Sequence, residues 1–189
     1  MRPLPEERHA PVTLGRGLAV VTIPDGKEGH LDAGTVVTVS QTLGTSYTVK
    51  TERGAKYRIR GEDGDAIGQP RLGSSGPVKP RDGTAAAVEE MARRLLGKVF
   101  DPEIPVDVVN LGLVHEVKAE PVGGGWRVKV RMGLTSPGCG MGDVLVRDVK
   151  DQLSRIEGVA EVDAQVVLFP VWNPNTMMSD AAKLKLGML

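Results

Sequence analysis

Cys139 is the only cysteine among 189 residues, and it stands in the run Thr135-Ser136-Pro137-Gly138-Cys139-Gly140-Met141-Gly142-Asp143. A lone cysteine is commonly a small buried apolar residue. A core cysteine would fall inside a periodic apolar run, whereas this one is flanked by Pro and Gly between two such runs. The pattern therefore points to a reactive thiol, able to act as a nucleophile or a metal ligand once it becomes a thiolate. Thr135 and Ser136 can hydrogen-bond a thiolate or a sulfide, or equally cap the turn. Asp143, one turn further on, favours the following helix and opposes a thiolate.

A second concentration of polar groups is Asp101-Pro102-Glu103-Ile104-Pro105-Val106-Asp107-Val108-Val109-Asn110-Leu111-Gly112-Leu113. Two prolines stiffen a segment bearing three carboxylates, Asp101, Glu103 and Asp107. Asp101 and Asn110 can cap turns through side-chain to backbone bonds. Alternatively, a carboxylate placed beside the thiol could accept a proton or ligate iron. His115 falls within an expected strand, where a histidine is more often packed or solvated than a ligand. His9 and His30 have no second ligand at metal spacing. The chain has no GxGxxG after a strand, no phosphate-loop lysine motif and no Cys-x-x-Cys, so nucleotide and structural-zinc sites are not indicated.

The elements that must position these groups follow from periodicity. Trp126, Val128, Val130, Met132 and Leu134 alternate with Arg127, Lys129 and Arg131, which predicts a half-buried strand over 126–134. Met141, Val144, Leu145, Val149, Leu153 and Ile156 recur at helical spacing and predict a helix over about 141–156. Cys139 is thus expected at a helix N-terminus, where free N–H groups and the dipole stabilise a thiolate. Thr84 is read as the N-cap of an earlier helix running to about Val99. Strands are expected at Gly112–Ala119 and Val159–Phe169, and a short helix at Ser179–Leu186. The expected fold of residues 84–189 is a two-layer α/β sandwich of helix, β-hairpin, helix and strand.

Upstream, residues 1 to about 15 read as a mobile lead-in. Four strands are expected at 18–23, 35–41, 46–51 and 55–60, forming a small β-rich barrel or meander within residues 1–69. The whole chain is therefore α+β. Residues 70–83 carry Gly, Pro and Ser without periodicity and read as a linker. Lys50, Arg53, Lys56, Arg58 and Arg60 form a basic stretch, but Glu52, Glu62, Asp63 and Asp65 lie beside it and favour a solvated strand face over nucleic-acid binding. Lys plus Arg and Asp plus Glu each total 24, so no net field favours nucleic acid or an anionic membrane. One cysteine, no apolar signal stretch and no membrane-length apolar run lead us to expect a cytoplasmic protein.

The strings Asp101-Pro102-Glu103-Ile104-Pro105-Val106, Asn110-Leu111-Gly112-Leu113-Val114, Thr135-Ser136-Pro137-Gly138-Cys139 and Met177-Met178-Ser179 leading to Leu186-Gly187 closely resemble the PaaD-like family of iron-sulfur assembly domains over residues 84–189. Ile23-Pro24-Asp25-Gly26, Gly34-Thr35-Val36-Val37-Thr38-Val39 and Asp65-Ala66-Ile67-Gly68 resemble the extra domain of the long SufT form. Many relatives carry proline after the cysteine where this chain has Gly140, which loosens the turn. The resemblance implies an accessory, non-enzymatic factor in iron-sulfur cluster assembly or delivery. Cys139 is then the transient ligand of iron, sulfide or cluster, and Asp101, Glu103, Thr135 and Ser136 contribute to that site. The implied partners are iron-sulfur scaffold or carrier proteins and apo-target enzymes. No tightly bound cofactor is expected, since a cluster wants four protein ligands and the chain offers one thiolate. A symmetric homodimer bridging a labile cluster is one solution and transient loading of a monomer is the other. An adaptor that never uses its thiol and a cysteine-dependent transferase or hydrolase are the alternative readings.

Overall fold

The computed structural model describes residues 10–73, 76–136, 138 and 140–188. Cα packing divides the chain into two compact units meeting after residue 75, with Pro102–Pro105 grouped with the first.

The first unit is a six-stranded antiparallel sheet. Its strands are β1 (Val12–Thr13), β2 (Leu18–Ile23), β3 (Glu28–Leu31), β4 (Val36–Leu43), β5 (Ser46–Thr51) and β6 (Lys56–Arg60), in the spatial order β1-β4-β5-β6-β2-β3. β4, β5 and β6 form a meander, and the recorded pairing leaves β1 and β3 as edges. The sheet is open and is not a closed barrel. Two strands escaped the apolar pattern for identifiable reasons. In β3 only Leu31 is buried, so no alternation marks it. β1 lies in the stretch read as a lead-in. Residues 1–9 of that stretch are outside the described residues, but Val12 pairs with Val37 and Leu14 is buried in the core.

Alternation holds where burial is one-sided: Val20, Val37, Val39, Tyr47, Val49 and Ile59 are buried, while Lys56 and Arg60 face outward. A 3-10 helix over Gly61–Ile67 ends at Gly68, whose φ of 65° is the left-handed conformation glycine adopts readily. Arg16 ties this helix down through Asp63 (2.7 Å) and Asp65 (3.3 Å), and the Arg16 hydrogen bond holds the Asp65 carboxyl below its ordinary pKa. Tyr47 Oη donates to the Pro70 carbonyl at 2.7 Å and Leu72 packs on the core cluster. The first residues of the expected linker are therefore fixed to this unit.

The second unit opens with Val78, which forms a parallel bridge to Ile156. Its Thr84 caps α1 (Ala85–Leu96) by accepting from the Ala87 amide. α1 ends at Leu96, three residues short of the expected Val99. The reason is a competing pairing, because Phe100 bridges Asp107 and the Val108 amide donates to Val99. β7 (Val114–Val122) and β8 (Gly125–Met132) form a hairpin. α2 (Gly142–Leu153) then crosses to β9 (Val159–Val166), which lies parallel to β8. The sheet order is β7-β8-β9. α1 and α2 contribute Val88, Leu95, Leu96, Val144, Val149 and Leu153 to one core, which with the sheet makes the expected two-layer α/β sandwich. Pro121 sits in β7, where an edge strand tolerates a missing donor. Arg131 reaches Asp163 across β8 and β9 at 2.9 Å, holding that carboxyl below its ordinary pKa. Two short helices close the unit, α3 (Pro174–Met177), which has no signal in the apolar pattern, and α4 (Asp180–Lys185). Among the described residues no helix is long and apolar enough to cross a membrane.

Candidate functional site

Strand register places the candidate groups at one end of the second sheet. Val114 pairs with Met132, and Met132 pairs with Val166. The start of β7 and the ends of β8 and β9 therefore form a single row. Residues 101–113 enter this row, and residues 133–141 and 167–173 leave it. The carboxyl ends of parallel strands are where open α/β sheets place ligands, because the connections there diverge and leave a crevice.

The carboxylate-rich segment separates into two parts. Residues 99–108 form a small hairpin, fixed by the Phe100–Asp107 bridge and by the Asp101 amide donating to the Val106 carbonyl at 3.2 Å. Asp101 is buried at its base, while Glu103 is exposed at its tip. The two carboxylates thus meet different environments. The turn that follows is closed by Asp107, whose Oδ1 accepts from the amides of Val109 (3.1 Å) and Asn110 (3.0 Å). Asn110 Nδ2 donates to Asp107 Oδ2 at 2.7 Å, and Asn110 Oδ1 accepts from Ser179 Oγ at 2.8 Å. Asp107, not Asn110, is the turn-capping side chain. Asn110 instead clasps the C-terminal segment.

Two further contacts complete that clasp. Trp172 Nε1 donates to the Leu111 carbonyl at 2.7 Å. Gly112, at φ 72°, lies so close to the Met177 carbonyl that a Cβ would collide with it. Ser179 also caps α4, accepting from the Ala182 amide, and Met178 is buried behind it. Sequence reasoning did not identify Asp107, Trp172 or Ser179 as partners. The Asx-turn spacing of Asp107 ahead of Val109 and Asn110 was the available signal; the contacts to Trp172 and Ser179 span 61 and 69 residues and have none.

The connection from β8 to α2 is built differently. The Gly133 amide donates to the Leu113 carbonyl at 2.8 Å, which anchors its start beside the entry to β7. Thr135 is half-buried, whereas Ser136, Gly138 and Gly140 are exposed. Gly138 has φ 77° with no atom near where a Cβ would stand. Cys139 and Pro137 lie outside the described residues. Met141 is fully buried and occupies the N-cap of α2 without a side-chain cap, so the first-turn amides of α2 have no capping oxygen from it. Asp143 lies in that first turn. His115 sits at a register shift in β7, and its Nε2 is buried against Gly133 without a hydrogen-bond partner. Among the described residues no cluster of three or more His, Cys, Asp or Glu could hold a metal ion. The structure thus brings the Asp107–Gly112 turn and the Thr135–Ser136 turn to one end of the sheet, while Glu103 and His30 group with the first unit.

Comparison with known proteins places these features. Residues 89–164 match the family model described as iron-sulfur cluster assembly protein. The chain is 42% identical over 101 residues to an Fe-S protein maturation auxiliary factor of Porphyromonas gingivalis, covering 53% of this chain and 92% of that protein. It is 40% identical over 89 residues to the Fe-S protein maturation auxiliary factor SufT of Staphylococcus aureus, covering 47% and 97%. A crystal structure of a domain of unknown function, DUF59, from Bacillus anthracis matches at 38% identity and a TM-score of 0.48, covering 56% of this chain and 96% of that one. The relatives are thus matched nearly end to end by about half of this chain, and the family match spans most of α1, the β7–β8 hairpin, α2 and most of β9. The chain belongs to the iron-sulfur cluster assembly protein family.

Proposed function

We propose that this protein is an accessory factor in iron-sulfur cluster assembly or delivery, working in the cytoplasm on apo-proteins rather than turning over a small substrate. The observation that carries the reading is the near full-length match to Fe-S protein maturation auxiliary factors, which are named for that role. Within it, Cys139 is the transient ligand of iron, sulfide or cluster. The exposure of Gly138 and Gly140 on either side of it supports access by a bulky cargo. The N-cap residue of α2, Met141, supplies no capping side chain, which supports a thiolate, since a helix N-terminus favours nearby negative charge.

The acidic hairpin takes complementary roles. Glu103, exposed at the tip, is suited to a direct but labile oxygen ligand for incoming iron. Asp101, buried at the base, is suited to assisting the thiol from behind, and the hydroxyls of Thr135 and Ser136 to hydrogen-bonding sulfide. Iron and cluster are cargo here. One thiolate per chain cannot hold a cluster permanently, so loading is transient or shared with a second copy, a scaffold or a carrier protein.

The test compares wild type, Cys139→Ser and Asp101→Asn in the maturation of a cluster-dependent enzyme under limited iron, with circular dichroism confirming each fold. Cys139→Ser is expected to abolish the stimulation while leaving the fold intact. Asp101→Asn is expected to reduce it partially, because water can replace a carboxylate more weakly. Wild-type maturation by a folded Cys139→Ser protein would overturn the thiol mechanism in favour of a pure adaptor. Turnover of a small substrate without iron would overturn the accessory reading in favour of a cysteine enzyme.

A further inference from the structure

We infer that Leu168, Phe169, Pro170 and Val171 form a docking strip for the protein client, one that presents apolar side chains around its unfilled iron-sulfur site. The inference rests on the functional reading above. Every residue from Val166 to Trp172 is apolar, and within that run Leu168 is 70% exposed, Phe169 77% and Val171 59%. Phe169 is one of only two phenylalanines in the chain, so the protein displays to solvent a ring its aromatic-poor cores could have used.

The strip is presented rather than loose. Upstream, the Val167 amide donates to the Met132 carbonyl at 2.8 Å; downstream, Trp172 Nε1 is bonded to the Leu111 carbonyl. Both anchors belong to the row of strand ends from which residues 133–141 leave. A client seated on the strip would therefore have its surface at the end of the sheet that carries Thr135 and Ser136.

Size and charge decide the kind of occupant. Three large side chains at these exposures offer roughly 300–400 Å² of apolar surface, the scale of a functional patch. A stable dimer needs about 800 Å² on each partner, so the strip by itself suits a partner that binds and leaves, not a permanent second copy. With no charged residue in the run, recognition is apolar, and a client helix or loop with Leu, Ile or Phe side chains fits it.

The experiment uses the full chain and the Leu168→Ser/Phe169→Ser double variant, with a purified apo-protein stripped of its [4Fe-4S] cluster as the client. Thermal unfolding and the rate of Cys139 alkylation should match wild type, because the strip supports neither the core nor the thiol. Affinity for the client, read by calorimetry, should weaken at least tenfold, with maturation falling in proportion at sub-saturating client. Full retention of client affinity by the double variant, while wild type binds and matures the client, would overturn the docking strip alone. A large fall in unfolding temperature would show the strip to be an internal contact, and loss of self-association in sedimentation would make it a contact between copies; either overturns the inference. A wild-type protein that neither binds nor matures the client would overturn the functional reading and the strip with it.

Discussion

Two connections share one end of the second sheet and are built on opposite plans. The turn from Asp107 to Gly112 is closed by its own side chains and locked to the C-terminal segment through Ser179, Trp172 and Met177. The connection from Gly133 to Met141 is anchored at its ends and displays Ser136, Gly138 and Gly140. In the first, a carboxylate and an amide that look chemically available, Asp107 and Asn110, are consumed in architecture. The lesson is that rigidity and access are assigned to different loops. An exposed connection can spring from a fixed frame because its neighbour is locked in place.

The two left-handed glycines sharpen that contrast most. At Gly112, alanine meets both an unfavourable φ and the Met177 carbonyl, so Gly112→Ala should cost about 2–5 kcal/mol in urea denaturation. At Gly138 the surroundings are open, and Gly138→Ala should cost only about 1 kcal/mol, the backbone strain alone. Equal losses would mean that the two connections do not differ in packing. Between these effects lies Asn110→Ala, which removes the side-chain partner of Asp107 Oδ2 and the acceptor of the Ser179 hydroxyl and should cost about 1–3 kcal/mol. Limited proteolysis should then release the segment after Trp172 first; protection unchanged from wild type would break the assignment of Asn110 as the clasp.

The smallest effect belongs to neither connection and serves as the control. Asp163→Asn removes the pair with Arg131 and should cost about 0.5–1 kcal/mol near neutral pH. Because the folded carboxyl is held below its ordinary value of 3.8, the pair contributes stability above that value. The contribution fades as pH falls through the lower folded value. Denaturation midpoints of wild type and variant should therefore converge in acid, and a gap that persists at the lowest pH would contradict the ion-pair account.

Legibility in the sequence followed the range of the forces involved. β2 and β5 were readable to the residue, because β2 is a short apolar run stopped by Pro24-Asp25-Gly26 and β5 is bounded by Gly44 and Gly54, although burial of Ser46 and Thr48 beside Tyr47 and Val49 was not signalled by their polarity. α1 was readable at its start from Thr84, but its end depended on the Phe100–Asp107 bridge, a contact outside any local window. β9 was expected to run on to Phe169 and stops at Val166, since apolar character alone does not distinguish a paired strand from a displayed one. At the site, the family motifs marked the right segments, yet spacing could not separate Asp107 from Asp101. Both are buried aspartates within one proline-rich stretch; hydrogen bonds to amides two and three residues on make Asp107 a turn cap.

Trp172 also gives the molecule a spectroscopic handle. The chain has two tryptophans, and Trp126, paired with Pro121 and Val159, lies at the hairpin end of β8, about 20 Å along the strand from Met132. A Trp126→Phe protein would therefore carry one indole, hydrogen-bonded to the Leu111 carbonyl beside the exposed strip. Its emission maximum and quenching would report loosening of the C-terminal clasp or occupation of the strip, each without a label added to the protein.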